Sequence, residues 1–312
     1  MRSIRIAFRG FWPGFKPEEF WQWRPYLTTR YRFVVDEIAP ELVICSVFPD
    51  PRPVPRGAVR VFYSGEWVEP DMDQWDWAIT FCHLDHPRHL REPLWVPHLH
   101  RTGLGWEGLI RAAGLPDVPV PERFCAFIYS NEVPRRNAVF DLLSRYKRVD
   151  APGRCRNNMP PIGPDPTAKL AFIARYRFVF AFENRSAPGY ATEKLVDPLL
   201  ARTVPLYWGD PLIGETFDRG SFLDRGACAS DEEFVERIVA LDRDDAAYRS
   251  VRSRPCLLGN AVPPAHADGA SLAWWDRVLA GAGELRSDDA VFADQRDPGG
   301  PARRAHDRAH GR

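Results

Sequence analysis

The chain has 312 residues, of which 45% are hydrophobic and 12% aromatic, so it can build the cores of one large or two ordinary globular domains. Lysines and arginines number 42 and so do aspartates and glutamates, and this balance argues against a nucleic-acid-binding protein. The 6 cysteines are scattered without C-x-x-C spacing, which argues against a zinc site and a disulfide framework. The sequence also lacks an 18-residue apolar run and a signal-peptide pattern, which argues against a membrane span.

Short apolar runs separated by loops in the first half of the chain are typical of an α/β domain. They predict strands at residues 4–8, 31–35, 42–48 and 60–63. Phe11 and Trp12 follow the first strand between two glycines, which favours their exposure at the surface. Because flat aromatic faces suit the apolar side of a sugar ring, we interpret Phe11 and Trp12 as a carbohydrate platform. Packing in the core is the alternative.

A glutamate follows the fourth predicted strand in the sequence Ser64-Gly65-Glu66. A carboxylate at the point where a strand passes into a loop is well placed to take a proton from an attacking hydroxyl group. Glu66 is therefore the predicted general base, with Glu69 and Glu193 as competitors. The other interpretation is an ordinary solvated glutamate.

Acidic and histidine residues near this glutamate resemble metal ligands only weakly. Asp71 and Asp73 form a D-x-D pattern of the kind that binds Mn²⁺ in some transferases, but the pattern is common and follows a proline in a polar turn. We predict no metal site and keep a metal-dependent transferase that uses Asp71 and Asp73 as an alternative. A strand is predicted at residues 93–97, leading to His98 and His100, to which we assign no role.

The middle of the chain predicts a domain boundary. Residues 103–121 are rich in proline and lack periodicity, as a linker does. We predict an N-terminal domain at 1–118, a second domain at 119–262, a helix at 263–283 that docks back on the body, and a disordered tail at 284–312.

Positive charge follows the first strand of the second half, which is predicted at residues 123–129. Arg135, Arg136 and Asn137 open the next helix. A guanidinium group can bind two phosphate oxygens at once, so we predict that Arg136 binds a diphosphate, with Arg135 as the alternative. Solvated arginines at a helix start are the other interpretation.

Residues 177–210 predict a βαβ unit around which the second half is organised. A strand buried on both faces occupies residues 178–182, Thr192 caps a helix, and residues 204–208 return as a strand. Lys194 lies in the first helical turn, where a cation is unfavourable by about 0.3–1 kcal/mol. Its position therefore predicts a bound anion such as a diphosphate, and an exposed Glu-Lys pair is the alternative.

Several segments resemble the α1,3/α1,4-fucosyltransferase family. The segments Phe182-Glu183-Asn184, Gly189-Tyr190-Ala191-Thr192-Glu193-Lys194 and Val204 to Asp210 are similar to the family's donor-binding signature. The segment ending in Arg136-Asn137 resembles its other donor motif, and Ser64-Gly65-Glu66 resembles the element thought to supply its base. Asp197-Pro198 departs from the pattern and predicts a helix that kinks or ends after about one turn.

The resemblance implies a GT-B-like α/β fold with two Rossmann-like domains and a cleft between them. It also implies an inverting fucosyltransferase that moves fucose from GDP-fucose to an N-acetylglucosamine-type hydroxyl, in α1,3 or α1,4 linkage, within a surface polysaccharide such as lipopolysaccharide or in protein glycosylation. A non-catalytic carbohydrate-binding protein remains the alternative.

The same resemblance assigns roles to individual residues. Glu66 would be the base, Arg136 and Lys194 the diphosphate clamp, and Glu193 a second catalytic candidate. No cofactor is required, stimulation by Mn²⁺ or Mg²⁺ is left open, and the enzyme is expected in the cytoplasm with peripheral membrane contact left open. The residues expected to position the donor are Glu193, Tyr190, Asn184 and Asn137.

Overall fold

The computed structural model describes residues 1–111, 119–163 and 165–284. This part of the chain forms two compact units: Met1–Pro93 together with the chain from Pro264 onward, and Leu94–Pro263. The first unit thus ends at Pro93, whereas the sequence predicted a domain end at residue 118. Residues 112–118, next to that predicted boundary, and residues 285–312 of the predicted tail lie outside the described residues.

Helices and strands alternate through most of the second unit, whereas β2 to β6 of the first unit follow one another without a helix between them. The helices are α1 (Pro17–Gln22), α2 (Trp95–Arg101), α3 (Pro134–Ser144), α4 (Pro166–Ile173), α5 (Glu193–Leu200), α6 (Asp231–Arg243), α7 (Asp245–Ser253) and α8 (Asp268–Glu284). The strands are β1 (Arg2–Arg9), β2 (Tyr31–Val35), β3 (Leu42–Cys45), β4 (Val59–Ser64), β5 (Trp77–Thr80), β6 (His89–Arg91), β7 (Arg123–Ala126), β8 (Val149–Asp150), β9 (Tyr176–Phe182), β10 (Val204–Trp208) and β11 (Leu223–Asp224). None of the described helices combines the length and the apolar character that crossing a membrane requires.

The first unit is built on a six-stranded parallel sheet with the order β2-β1-β3-β4-β5-β6. Its core joins apolar side chains of β1, β3 and β4 to Trp274, Trp275, Val278 and Leu279 of α8. These side chains share one face of α8. Because they are buried in the core of the first unit, α8 belongs to that unit although it follows the second unit in the sequence. The helix predicted at 263–283 therefore begins at Asp268 and ends at Glu284.

The second unit is built on a five-stranded parallel sheet with the order β11-β10-β9-β7-β8. All seven residues of β9 are buried, and alternate side chains point to opposite faces. Phe178, Phe180 and Phe182 pack with residues of α3 and α6, whereas Val179 packs with α4 and Ala181 with α5. Helices thus cover both faces of a central apolar strand, as the sequence predicted for residues 178–182.

Two local predictions differ from the structure, and both involve proline. Residues 93–97 were predicted as a strand, but Trp95–Arg101 forms α2, because Pro97 lies in the first turn, where its missing N–H breaks no helical hydrogen bond. Pro198 was predicted to kink or end its helix after about one turn, but α5 continues through it to Leu200. The buried face of α5, which includes Leu195 and Leu199, packs well enough to retain the second turn.

Candidate active site

A buried carboxylate lies at the carboxyl end of β9. Glu183 directly follows the strand and is fully buried. Its Oε1 accepts hydrogen bonds from the backbone N–H and the hydroxyl of Thr192, both at 2.8 Å. Thr192 in turn caps α5, since its Oγ1 accepts the N–H of Lys194 at 3.4 Å. Glu183 therefore fixes the start of α5 against the end of β9.

Lys194 is paired with carboxylates of its own chain. Its Nζ lies 3.0 Å from Oε2 of Glu183, 2.9 Å from Oγ1 of Thr192 and 3.7 Å from Oε1 of Glu193. Burial opposes the charge of Lys194, but Glu183 and Glu193 outweigh burial and raise the pKa of the ammonium group. Glu183 and Glu193 thus supply negative charge to Lys194 from within the protein, and the binding of a diphosphate by Lys194 stays a prediction.

The glycine at position 209 is required by the buried carboxylate. A Cβ atom there would lie 2.6 Å from Cγ of Glu183 and 2.7 Å from the hydroxyl oxygen of Tyr207. The Tyr207 hydroxyl oxygen also accepts the backbone N–H of Asp210 at 2.7 Å. The turn that follows β10 thus packs directly on the Glu183 side chain, and only glycine permits this approach.

Of the two carboxylates beside Lys194, Glu193 is more accessible than Glu183, with 34% of its side chain exposed. Burial acts to raise its pKa, but the charges of Lys194, Lys169 and His98 outweigh burial and lower the pKa of Glu193 to about 2. The carboxylate is therefore ionised at neutral pH and is a weak proton acceptor. Its place in the first turn of α5 also favours negative charge.

A second buried carboxylate fastens three helices together one turn along α5. Asp197 has a side chain that is 3% exposed, and its Oδ1 lies 2.6 Å from Nε2 of His98 in α2. Its Oδ2 lies 2.7 Å from Nζ of Lys169 in α4. The sequence analysis assigned no role to these residues, because their pairing depends on the packing of α2, α4 and α5. An acidic residue before a helical proline, four residues after Glu193, was the available signal.

Arg136 is buried rather than open to solvent. It donates to the carbonyl oxygens of Asn131 at 2.5 Å and Phe182 at 3.4 Å, and to Oδ1 of Asn184 at 3.3 Å. Its guanidinium lies 3.7 Å from the ring centroid of Tyr129, and burial lowers the pKa of Arg136. Arg136 thus ties α3 to the end of β9, and its binding to a diphosphate stays a prediction.

Arg135, the alternative to Arg136, is the more accessible of the two arginines. Its side chain is 44% exposed and lies 3.8 Å from Asp231. Its guanidinium also lies 5.4 Å from the ring centroid of Trp208, at the end of β10. Arg135 is therefore the arginine of this helix start that solvent reaches.

The other predicted donor-binding residues surround the same edge of the second sheet. Asn184 is exposed and accepts its bond from Arg136, whereas Tyr190 is 7% exposed and donates its backbone N–H to Ala187. Asn137 is half-buried, and its side-chain oxygen accepts a bond from the thiol of Cys155 at 3.3 Å. At the end of β9, Arg136 thus contacts Phe182 and Asn184, and Lys194 contacts the intervening Glu183.

In the first unit, Glu66 lies in a turn that directly follows β4. The Ser64 hydroxyl accepts the N–H of Glu66 at 3.0 Å and donates to its carbonyl oxygen at 3.1 Å. The same carbonyl accepts the N–H of Val68 at 2.7 Å. The backbone of Glu66 is therefore fixed, while its side chain is exposed and forms no hydrogen bond or ion pair with the described residues.

The aromatic residues predicted to bind a sugar are both half-buried. The ring centroid of Phe11 lies 4.1 Å from that of Phe15 in a stacked pair and 5.8 Å from that of Tyr63, with the Phe11 and Tyr63 rings nearly parallel. Trp12 also contacts the rings of Phe11 and Phe15. Phe11 therefore packs partly into the core, which was the alternative interpretation, and the carbohydrate platform stays a prediction.

The acidic pair considered for a metal forms a local turn. Oδ1 of Asp71 accepts the N–H of Asp73 at 3.0 Å, and Oδ2 accepts the side-chain amide of Gln74 at 2.7 Å. The described residues contain no group of three or more histidine, cysteine or acidic side chains arranged to hold a metal ion.

Two units, each with polar side chains at the carboxyl edge of a parallel sheet, define an α/β enzyme of the GT-B-like class. The C-terminal model of glycosyltransferase family 10 (fucosyltransferase) matches residues 121–252, and the model of the α-(1,3)-fucosyltransferase FucT N-terminal domain matches residues 6–98. The chain belongs to glycosyltransferase family 10, the fucosyltransferases. The family predicted from the sequence motifs is thereby confirmed.

Two curated relatives illustrate the similarity. The chain is 30% identical over 223 residues to the α-(1,3)-fucosyltransferase FucT of Helicobacter pylori, over 62% of this chain and 46% of that protein. It is 32% identical over 142 residues to the putative fucosyltransferase R654 of Acanthamoeba polyphaga mimivirus, over 43% of this chain and 24% of that protein. The matches span less than half the length of either relative.

Solved structures match over nearly the whole chain. A crystal structure of α1,3-fucosyltransferase with GDP-fucose has a TM-score of 0.74 at 24% identity and covers 94% of both chains. A structure of α1,3-fucosyltransferase with GDP has a TM-score of 0.75 at 24% identity and covers 95% of this chain and 93% of that chain. The predicted α/β, GT-B-like fold class with two parallel-sheet domains is confirmed by this likeness.

Proposed function

We propose that this protein is an inverting fucosyltransferase. It transfers fucose from GDP-fucose to a hydroxyl group of an N-acetylglucosamine-type residue in a glycan, in α1,3 or α1,4 linkage. The glycan belongs to a surface polysaccharide such as lipopolysaccharide or to a glycosylated protein. A relative whose name is α-(1,3)-fucosyltransferase FucT supports this activity, as does a similar structure solved with GDP-fucose.

The observation that carries the proposal is the arrangement of charge at the start of α5. Lys194 has three N–H donors, of which Glu183 and Thr192 accept two, so one remains for a donor phosphate. The first backbone N–H groups of α5 add a partial positive charge. The segment lies within residues 121–252, which the family's C-terminal model matches.

The remaining residues take roles that suit their surroundings. Lys194 and Arg136 contribute positive charge to the diphosphate of the donor. Glu193 is ionised near neutral pH, so it acts on the positive charge that develops at the anomeric carbon rather than as the base. The residues that position the nucleotide and the fucose are Tyr190, Asn184 and Asn137.

Glu66 acts as the general base that takes the proton of the acceptor hydroxyl. Its exposed carboxylate on a fixed backbone turn can reach a substrate and return the proton to solvent. Transfer with inversion requires one base and a stabilised leaving group, and it needs no covalent intermediate. GDP leaves with the electrons of the broken glycosidic bond.

The test compares two exposed glutamates three residues apart. Purified wild type, Glu66→Gln and Glu69→Gln are incubated with labelled GDP-fucose and a small panel of glycans. We expect Glu66→Gln to lose activity by about 100-fold or more, the usual contribution of a general base, and Glu69→Gln to stay near wild type. The reverse result would reassign the base, and failure of the wild type to transfer fucose to any glycan would refute the proposed function.

Two alternative functions give different results in simple controls. A metal-dependent transferase that uses Asp71 and Asp73 would lose activity in a chelator and regain it with Mn²⁺. We expect activity to survive the chelator, because Asp71 already bonds Asp73 and Gln74 through both oxygens. A non-catalytic carbohydrate-binding protein would not bind GDP, which calorimetry measures directly.

We also propose that the enzyme works in the cytoplasm, with GDP-fucose and a glycan acceptor as its partners. All six cysteines are free and buried, which fits a reducing compartment. Separating cytoplasmic, membrane and extracellular fractions of expressing cells by centrifugation and blotting tests the location. Recovery mainly with membranes at low salt would instead indicate peripheral contact.

A further inference from the structure

An exposed tryptophan lies next to the proposed base. Trp67 directly follows Glu66 and is 42% exposed. Its ring centroid lies 5.6 Å from that of Phe81, which is 1% exposed and directly follows β5. The indole therefore packs against a buried ring of the first unit, while much of its surface is open to solvent.

The backbone under this tryptophan is held in one conformation. Ser64 bonds the N–H and the carbonyl oxygen of Glu66, and the N–H of Val68 bonds the same carbonyl. These bonds involve the residues directly before and directly after Trp67. The turn thus places an exposed carboxylate and an exposed indole on consecutive residues of a hydrogen-bonded backbone.

Exposure of one aromatic residue is ordinary by itself, so the comparison with other aromatic side chains matters. Phe11 and Trp12 are half-buried, and Phe11 contacts the rings of Phe8, Trp12, Phe15 and Tyr63. Trp67 makes its ring contact with Phe81 alone among the described residues. Trp67 therefore offers more free ring surface than either residue of the predicted platform.

We propose that Trp67 binds the acceptor glycan by stacking its indole on the apolar face of a pyranose ring. The ring would be of the gluco type, whose equatorial hydroxyl groups leave a face of C–H groups that packs on an aromatic surface. Stacking at Trp67 holds the ring whose hydroxyl group Glu66 deprotonates. This inference rests on the proposed function and assigns the acceptor subsite within it.

The expected effect of Trp67→Ala is confined to the acceptor. We expect the acceptor KM to rise about 10-fold, the order of one lost aromatic contact, with kcat changed by less than about 3-fold. Trp67→Phe keeps a flat ring and should stay within about 3-fold of the wild-type acceptor KM. GDP affinity and the slow hydrolysis of GDP-fucose without acceptor should be unchanged in both variants.

A matched control separates stacking from general loss of apolar surface. Val34 is 43% exposed and lies on the edge strand β2 of the same unit. We expect Val34→Ala to retain the wild-type acceptor KM. Far-ultraviolet circular dichroism and thermal unfolding of each variant verify that the fold is retained.

Direct binding of the glycan keeps this test independent of catalysis. Saturation-transfer NMR with an N-acetylglucosamine-containing oligosaccharide should show contact with the wild type and Trp67→Phe, and weaker contact with Trp67→Ala. Wild-type glycan affinity in a folded Trp67→Ala variant would overturn the proposal, and so would an equal loss of GDP affinity. If the wild type binds the glycan but transfers no fucose, the proposed function fails while Trp67 is still judged by binding.

Discussion

The pairing of Lys194 with Glu183 gives a proposed donor-binding residue a second role, in stability. Glu183 has no access to solvent, so its charge depends on Lys194 and Thr192. A donor that binds Lys194 as proposed would therefore meet an ammonium group already held in position. The orientation of this cation is fixed before the ligand arrives, which reduces the entropy lost on binding.

Replacing Lys194 tests this dependence. Lys194→Met leaves the buried Glu183 carboxylate without its cation, so we expect the free energy of unfolding to fall by about 3–5 kcal/mol, measured by urea denaturation. GDP affinity, measured by calorimetry, should fall as well. The double variant Glu183→Gln with Lys194→Met removes both charges and should recover much of the stability but not the GDP affinity. A single variant as stable as the wild type would contradict the pairing.

Glu193 predicts a stability change in acid. Its folded-state pKa is about 2, against an ordinary value of 4.5, so between these two values the unfolded chain binds the proton more readily. The stabilisation by the Glu193 carboxylate is complete above pH 4.5 and is lost as the pH falls toward 2. We expect the difference in unfolding free energy between wild type and Glu193→Gln to shrink over this range. A difference that does not change with pH would contradict this.

Residue types in the donor segment were predictable, but their partners were not. The motifs identified Lys194, Glu193 and Arg136 from sequence, and the helix dipole indicated that Lys194 needs an anion. Its partner Glu183 is separated from Lys194 by ten residues, and no local pattern specifies the path that they take. Likewise, the sequence cannot reveal that Arg136 is buried over Tyr129, because that depends on how α3 packs on β9.

At the scale of elements, the turn that follows β10 packs against Glu183, the carboxylate that follows β9. Gly209→Ala would place a Cβ atom 2.6 Å from Cγ of Glu183. We expect a loss of stability of about 1–3 kcal/mol from this overpacking, together with weaker GDP binding. Gly281→Ala in α8 is the control: a Cβ there has no neighbour within 4 Å, so the change should be neutral or stabilising by up to about 1 kcal/mol. Equal behaviour of the two variants in denaturation would refute the close approach.

The central strand β9 was predictable from the sequence, whereas two short strands of the first unit were not. The buried run at 178–182 predicted β9 well, because a central parallel strand is apolar on both faces. The sequence analysis missed β5 and β6, which have four and three residues, although it predicted strands over β3 and β7, which have four residues each. The apolar run before Pro97 matched a strand as well as a helix, and packing decided in favour of α2.

At the scale of the whole molecule, the boundary between the units follows contacts rather than composition. The proline-rich residues 103–121 predicted a linker, yet the chain already belongs to the second unit from Leu94. His98 pairs with Asp197, and the rings of Trp95 and Phe217 lie 5.1 Å apart. These long-range contacts place α2 in the second unit, and the sequence alone does not encode them in a readable pattern.

Because α8 packs in the core of the first unit, we expect the stability of that unit to depend on α8. Trp275 is fully buried in the core of the first unit, so Trp275→Ala should lower the free energy of unfolding by about 3–5 kcal/mol. Arg277→Ala, on the exposed side of the same helix, should change it by no more than about 0.5 kcal/mol. Both are measured by chemical denaturation. Similar effects of the two changes would contradict the packing of α8.

Because α8 completes the first unit, the order of synthesis on the ribosome matters. The strands β1 to β6 emerge first, but Trp274 and Trp275 follow only after the whole of the second unit has been translated. The second unit, whose residues 94–263 are contiguous, can therefore fold before its predecessor is complete. During that interval the apolar side chains of the first unit that pack against α8 have only their other neighbours, such as Phe20 and Leu27, to cover them.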